Sequence, residues 1–225
     1  MNEIHPNRLL VEGAQEKRLI PELMKKNGVN WGDKDNPIVH IDSLDGIKNL
    51  ANPKVISARL KLRNLSALGI IIDADDNPSG RWRSIRNSAL TSVPTIPESL
   101  PKEGLIISTP DGIKFGIWMM PNNEMCGMLE TFVTYLIPTE SEEVWSFAQE
   151  VAQEAKNRGA KFKDSHLDKA NIYTWLAWQN PPGIQLHNAI TKRILDPNHD
   201  DAQKFVRWFK DLYNICLLYT SDAAD

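Results

Sequence analysis

Short apolar runs alternate with amphipathic stretches through the first part of this chain, and the runs are bounded by carboxylates, glycines or prolines. Residues 8–11 and 69–72 are too short for helices and dense in branched side chains, so they read as strands buried on both faces of a parallel sheet. Residues 37–41 form a further short strand between them. Leu19, Ile20, Leu23 and Met24 recur at helical spacing across residues 14–26, with Pro21 inside the stretch. Helical segments follow at 44–50 and 53–63, the second opened by Pro53, whose missing N–H is not needed in a first turn. Asp76 and Asn77 read as a capping turn for a helix over 79–90. Residues 93–104 carry prolines at 94, 97 and 101 and read as a loop. Residues 105–109 and 114–120 flank Pro110-Asp-Gly112, a turn signal that predicts an antiparallel pair at the sheet edge. A polar loop at 121–127 precedes a helix at 128–136. Downstream of Pro138 the pattern is all helical, over 141–158, 165–179, 186–195 and 200–214. Strands alternating with helices predict the α/β class: a mostly parallel central sheet flanked by helices, with a helical C-terminal extension.

With 225 residues, 41% of them hydrophobic and 24% charged, the composition is that of one folded domain rather than a disordered or fibrous chain. No apolar run approaches the roughly 18 residues of a membrane span, and the polar N-terminus lacks a signal-peptide pattern. The expectation is a soluble cytoplasmic protein with no membrane partner. The last ten residues, Cys216-Leu-Leu-Tyr-Thr-Ser-Asp-Ala-Ala-Asp225, match the translation of a transposon-based sequencing adapter, so the natural frame is expected to break off near Ile215. Without them the formal charge moves from −3 to −1, and net charge singles out no class of partner. Cys126 is then the one cysteine, which excludes an internal disulfide and a zinc site built on cysteine pairs; it reads as an inert buried thiol. The five histidines share no metal-ligand spacing, and neither a nucleophile elbow nor a Gly-rich phosphate loop is present.

The chemistry concentrates in Leu68-Gly-Ile-Ile-Ile-Asp-Ala-Asp-Asp-Asn77, an apolar strand ending in alternate carboxylates. Open α/β sheets bind ligands at the carboxyl ends of their strands. Asp73 and Asp75 repel each other there unless a cation relieves them. The strand at 8–11 delivers Glu12, followed by Gly13, to the same end of the sheet. Magnesium takes hard oxygen ligands and is held by one or two carboxylates plus substrate phosphate. Glu12 could add a second ion or act as general base, which points to metal-assisted phosphoryl-transfer chemistry.

Glu12-Gly13 after one apolar strand and Asp73-X-Asp75 after another resemble the toprim domain of topoisomerases, primases, recombination proteins and overcoming-lysogenization-defect nucleases. Leu10-Val-Glu-Gly13, Asp73-Ala-Asp-Asp-Asn-Pro78, Arg81-Trp82, Ser84-Ile-Arg86, Gly116-Ile-Trp118, Met120-Pro121 and Gly127-Met-Leu-Glu130 are similar to a bacterial toprim-like domain family of unknown function. Lys169-Ala170, Thr174-Trp-Leu-Ala-Trp178 and Pro182-Gly183 fit the same family. The resemblance implies a toprim-like metal-binding domain over 1–137 and a helical extension over 138–215 packed on it. It implies a Mg2+ (or Mn2+) site of Glu12, Asp73 and Asp75, with Glu130 as a further acidic ligand. Where many relatives carry Asp after the first Glu-Gly, this chain has Ala14-Gln15-Glu16, which leaves Glu16 as the nearby acid.

Arg81, Arg83 and Arg86 follow the acidic turn on a helix, and Arg83 and Arg86 share a face suited to phosphate. Lys169 is a second candidate phosphate-binding cation, with an exposed helix lysine as the plain reading. Trp175, Trp178, Trp208, Tyr173 and Phe205 stand at helical spacing among aliphatic residues and read as core rather than as a base-stacking platform. The expected function is a metal-dependent nuclease processing nucleic-acid phosphodiesters, with defence against mobile DNA as an analogy. The alternatives are a non-catalytic nucleotide- or nucleic-acid-binding module acting with a partner protein, and a phosphatase using Asp73 as nucleophile and Asp75 as acid.

Overall fold

The structure, a computed structural model, describes residues 5–215. The adapter-like segment 216–225 lies outside the described residues. Five strands form one sheet: β1 (Asn7–Val11), β2 (His40–Ser43), β3 (Ala67–Asp73), β4 (Leu105–Ser108) and β5 (Lys114–Met120). Their order is β2-β1-β3-β5-β4, parallel throughout except for β4, which pairs antiparallel with β5 at the edge. The predicted α/β class and the edge hairpin are both present.

Strand alternation divides the core in two. Leu9, Val11, Ala67, Ile71, Trp118 and Met120 face one side; Leu10, Leu68, Ile70, Ile72, Phe115, Ile117 and Met119 face the other. The first side is covered by α1 (Ala14–Lys26), α5 (Leu129–Thr134), α7 (Leu167–Ala177), α8 (Leu186–Thr191) and α9 (Asp200–Tyr213). The second is covered by α2 (Ile47–Leu50), α3 (Pro53–Leu60) and α4 (Pro78–Ala89), with Val93 and Ile96 of the Pro-rich loop. Helix α6 (Glu142–Asn157) packs on α7 and buries Ala148 and Ala152.

Aromatic rings fasten α9 to the sheet. The Trp118 ring centroid lies 5.4 Å from that of Phe205 and 5.7 Å from that of Trp208. Trp208 Nε1 donates to Leu105 O at 3.0 Å, and the Tyr213 hydroxyl donates to Arg8 O at 2.8 Å. The helices after Pro138 thus help bury one whole face of the sheet.

Several expected boundaries move, each for a local reason. The strand expected at 37–41 starts at His40, because Ile38 N–H donates to Trp31 O at 2.7 Å and Pro37 bridges Gly32. The helix expected at 44–50 shrinks to α2, because the backbone at Asp45 and Gly46 turns through positive φ and Gly46 N–H donates to Glu12 O at 2.9 Å. The helix expected at 165–179 opens as a 3-10 turn and ends at Ala177, and that at 186–195 ends at Thr191. Trp175, Trp208 and Phe205 are core, but Trp178 is 43% exposed and stacks on the exposed ring of Phe147 as the chain leaves α7. Cys126 is exposed in the 121–127 loop rather than buried, since that loop turns over the strand ends instead of entering the core. Among the described residues no helix is long and apolar enough to cross a membrane.

Candidate functional site

The parallel pairing of β1 with β3 sets Glu12 and Asp73 side by side at the carboxyl end of the sheet. The Asp73 backbone N–H donates to Glu12 Oε1 at 2.9 Å. Asp73 Oδ1 in turn accepts the Leu129 N–H at 3.0 Å, at the start of α5, so the next residue, Glu130, is drawn toward the same corner. Glu130 is buried, and its Oε1 lies 2.7 Å from Lys169 Nζ of α7. Thr131 Oγ1 donates to Asp168 Oδ2 at 2.8 Å and so ties α5 to α7 beside that pair.

Past β3 the chain turns sharply. Asp75 adopts φ 48°, and its N–H and C=O both bond to Gly127, each at 2.8 Å. Gly127 itself sits at φ 134°, where a Cβ would come within 2.5 Å of Thr131 Oγ1, so this position requires glycine. Asn77 then caps α4, its Oδ1 accepting from Gly80 N–H at 2.9 Å, as expected for that part of the turn. The first turn of α4 places Arg81 against Asp75 in an ion pair.

Electrostatics show how crowded the corner is. The Asp73 carboxyl is held well above its ordinary value, first by burial and then by the carboxylates of Glu12, Glu16, Glu130 and Asp75. Glu12 is raised by burial, which outweighs the Asp73 N–H and the Arg81 charge. Glu16 is raised by burial and by Glu12 and Glu130. Burial works against the Lys169 ammonium, but its bond to Glu130 prevails and raises it. The Tyr173 hydroxyl is raised by burial and by Glu130, and it accepts a hydrogen bond from Gln15 Nε2 at 3.1 Å.

The structure therefore gathers Glu12, Asp73, Asp75 and Glu130 into one cluster and adds Lys169 to it, while Arg83 and Arg86 line a cleft elsewhere on α4. Glu16, noted only as the acid nearest Glu12, and Gln15 and Tyr173, not expected at the site, join the cluster. Glu16 had a signal: it stands on the helical stripe of Leu19, Ile20 and Leu23, a charge on an apolar face. Tyr173 had none, because its ring packs with the core and only its hydroxyl reaches the acids.

The donor set is all carboxylate oxygen, which fits a hard divalent cation in kind. As placed, however, no three His, Cys, Asp or Glu among the described residues are disposed to hold an ion together. Arg81 and Lys169 neutralise Asp75 and Glu130 instead. Asp73 engages Oδ1 with Leu129 and leaves Oδ2 for a further partner.

The family described as "Protein of unknown function (DUF3226)" matches residues 6–214, which is nearly all of the described chain. The chain belongs to the DUF3226 family. The match runs from before β1 to the end of α9, so the acidic corner and the helices that cover it both fall within the DUF3226 unit. Neither the curated proteins nor the solved structures gave a match to this DUF3226 chain.

Proposed function

We propose that the acidic corner is a toprim-type centre that cleaves nucleic-acid phosphodiesters with Mg2+ or Mn2+. One observation carries this reading: carboxylates from the ends of two adjacent parallel strands and from the start of α5 meet in one corner, where burial first and then their mutual repulsion raise Asp73 well above its ordinary value. Such crowding is what a divalent cation relieves. Asp73 and Asp75 would hold the ion, with Glu12 and Glu130 completing its surroundings. When bound, such an ion supplies Lewis-acid polarisation of the phosphate oxygens. Glu12, whose hold on a proton is strengthened by burial, would be the base toward the attacking water. Lys169, seated on Glu130, would bring positive charge to the same corner for an anionic substrate.

Incubating the protein with end-labelled DNA and RNA, with Mg2+, Mn2+ or EDTA, tests the proposal. Metal-dependent cleavage that is lost in both Asp73→Ala and Glu12→Ala supports it; absence of cleavage with either metal rejects it. A second reading, a non-catalytic nucleic-acid-binding module working with a partner protein, draws on the seating of Arg81 and Lys169 on two of the four acids. Metal-dependent binding without cleavage favours that reading.

A further inference from the structure

At the same end of the sheet as Asp73, but on its other face, a cleft of about 590 Å³ opens between α4 and the Pro-rich loop 93–104. Its walls include Ser79, Trp82, Arg83, Arg86, Asn87 and Met119. Met119 pairs in register with Ile72, the residue before Asp73, so the cleft begins one strand step from the acidic corner. The loop is fixed to the helix at two points: Arg86 Nε donates to Pro97 O and Trp82 Nε1 donates to Glu98 O, both at 2.8 Å. The first bond holds the Arg86 guanidinium in place while leaving its terminal nitrogens for another acceptor.

Among the described residues neither Arg83 nor Arg86 is within ion-pair distance of a carboxylate, although Glu98 and Glu124 also line the cleft. Glu124 is taken by Lys102 at 2.8 Å. Two guanidinium groups without acidic partners, beside the hydroxyl and amide groups of Ser79 and Asn87, make a surface suited to phosphate oxygens. The volume is that of a nucleotide-sized site. Helix α4 joins the two places, presenting Arg81 to Asp75 on one flank and Arg83 and Arg86 to the cleft on another.

We propose that this cleft anchors a backbone phosphate of a single nucleic-acid strand laid across the carboxyl end of the sheet, one of whose other phosphodiesters reaches the acidic corner. The assignment of a strand as ligand rests on the nuclease reading above, but its test needs no metal and no cleavage. The probes are a 5′-fluorescein 12-nucleotide single strand and adenosine monophosphate, titrated in EDTA and followed by anisotropy, by competition and by tryptophan fluorescence. The protein should bind the strand. Arg83→Glu, at an exposed position, should weaken binding about tenfold and lower the log–log salt slope by about 0.7, the share of one phosphate contact, without changing the melting temperature. Arg86→Gln, where the loop also loses a bond, should weaken binding at least as much.

Wild-type binding by both variants at an unchanged salt slope overturns the proposal, as does failure of the unsubstituted protein to bind the strand. Adenosine monophosphate binding as tightly as the strand also overturns it, and identifies the ligand as a free nucleotide. Strand binding lost in Arg83→Glu but with no cleavage under any metal upholds the cleft and rejects only the nuclease. Cleavage by a protein whose Arg83→Glu variant binds normally rejects only the cleft.

Discussion

Replacing Asp73 by Asn should make the metal-free protein more stable at neutral pH, although Asp73 is the centre of the proposed site. The carboxyl lies above its ordinary 3.8 in the folded protein, through burial and four neighbouring acids. Both folded and unfolded chains hold the proton well below that ordinary value. As pH rises past it, the unfolded chain releases the proton first. The folded state then binds more protons than the unfolded one, and stability falls until pH passes the raised folded value. At neutral pH the titration of Asp73 therefore lowers stability, by about 1.4 kcal/mol for each pH unit that lies between its ordinary value and the raised folded one and has already been passed. Asn removes the charge, and its Oδ1 still accepts the Leu129 N–H bond that Asp73 makes at 3.0 Å. For a chain of this length each kcal/mol is worth about 2–4 °C in melting temperature.

The assay is thermal unfolding of both proteins in EDTA from pH 4 to pH 8. Asp73→Asn should melt several degrees higher at pH 7.5, and the gap should close toward pH 4. Glu12 and Glu16 are raised for related reasons, so the unsubstituted protein should itself melt higher at pH 5 than at pH 7.5. Magnesium should narrow the gap: an ion present at 100 times its dissociation constant adds about 2.7 kcal/mol to the protein that binds it and nothing to the variant that does not. An Asp73→Asn protein that melts at or below the unsubstituted one in EDTA at pH 7.5 would refute the electrostatic reasoning. A melting temperature insensitive to Mg2+ and Mn2+ would refute the metal.

Two further outcomes bear on how the corner is held. Lys169→Met should lower stability in urea unfolding by about 1–3 kcal/mol, less than for a fully buried pair because Lys169 is about half exposed, and Glu130→Gln in the same chain should restore most of it; equal loss in single and double variants would show that the pair does not matter. Gly127→Ala should cost about 2 kcal/mol by the same assay, through its positive φ and the Cβ contact with Thr131; a fully stable variant would show that the Asp75–Gly127 clasp is dispensable.

The parts of this architecture that could be read from the chain are those set by local pattern. The apolar runs ending at Val11 and Ile72 became adjacent parallel strands because nothing but a doubly covered sheet satisfies them. Glu12 and Asp73 were legible as a pair for that reason: strands that run parallel deliver their ends to one edge. Glu130 was placed by resemblance alone, since its arrival depends on a bond between Asp73 Oδ1 and a backbone N–H 56 residues away, which no periodicity encodes. The ion pairs were harder still. Arg81 and Lys169 look like ordinary helix cations, and only the packing of α4 and α7 against the strand ends turns them on Asp75 and Glu130. The start of β2 was misplaced because Trp31 O, rather than a neighbouring strand, takes the N–H of Ile38.

Those two cations decide how an ion would enter. Asp75 and Glu130 are already neutralised, so they attract a divalent cation less than Glu12 and Asp73, whose charges have no lysine or arginine in direct contact. In the proposed centre Asp73, which has no cationic partner, would thus be the first ligand, with Glu12 beside it. Asp75 would complete its grip on the ion, and Glu130 its support, as Arg81 and Lys169 turn to other acceptors. A substrate phosphate would offer those cations a new acceptor in the proposed centre, which would couple the binding of an anionic substrate to the binding of the ion. On this account metal alone should bind weakly and substrate should tighten it, because each supplies the charge that the other's partners lose.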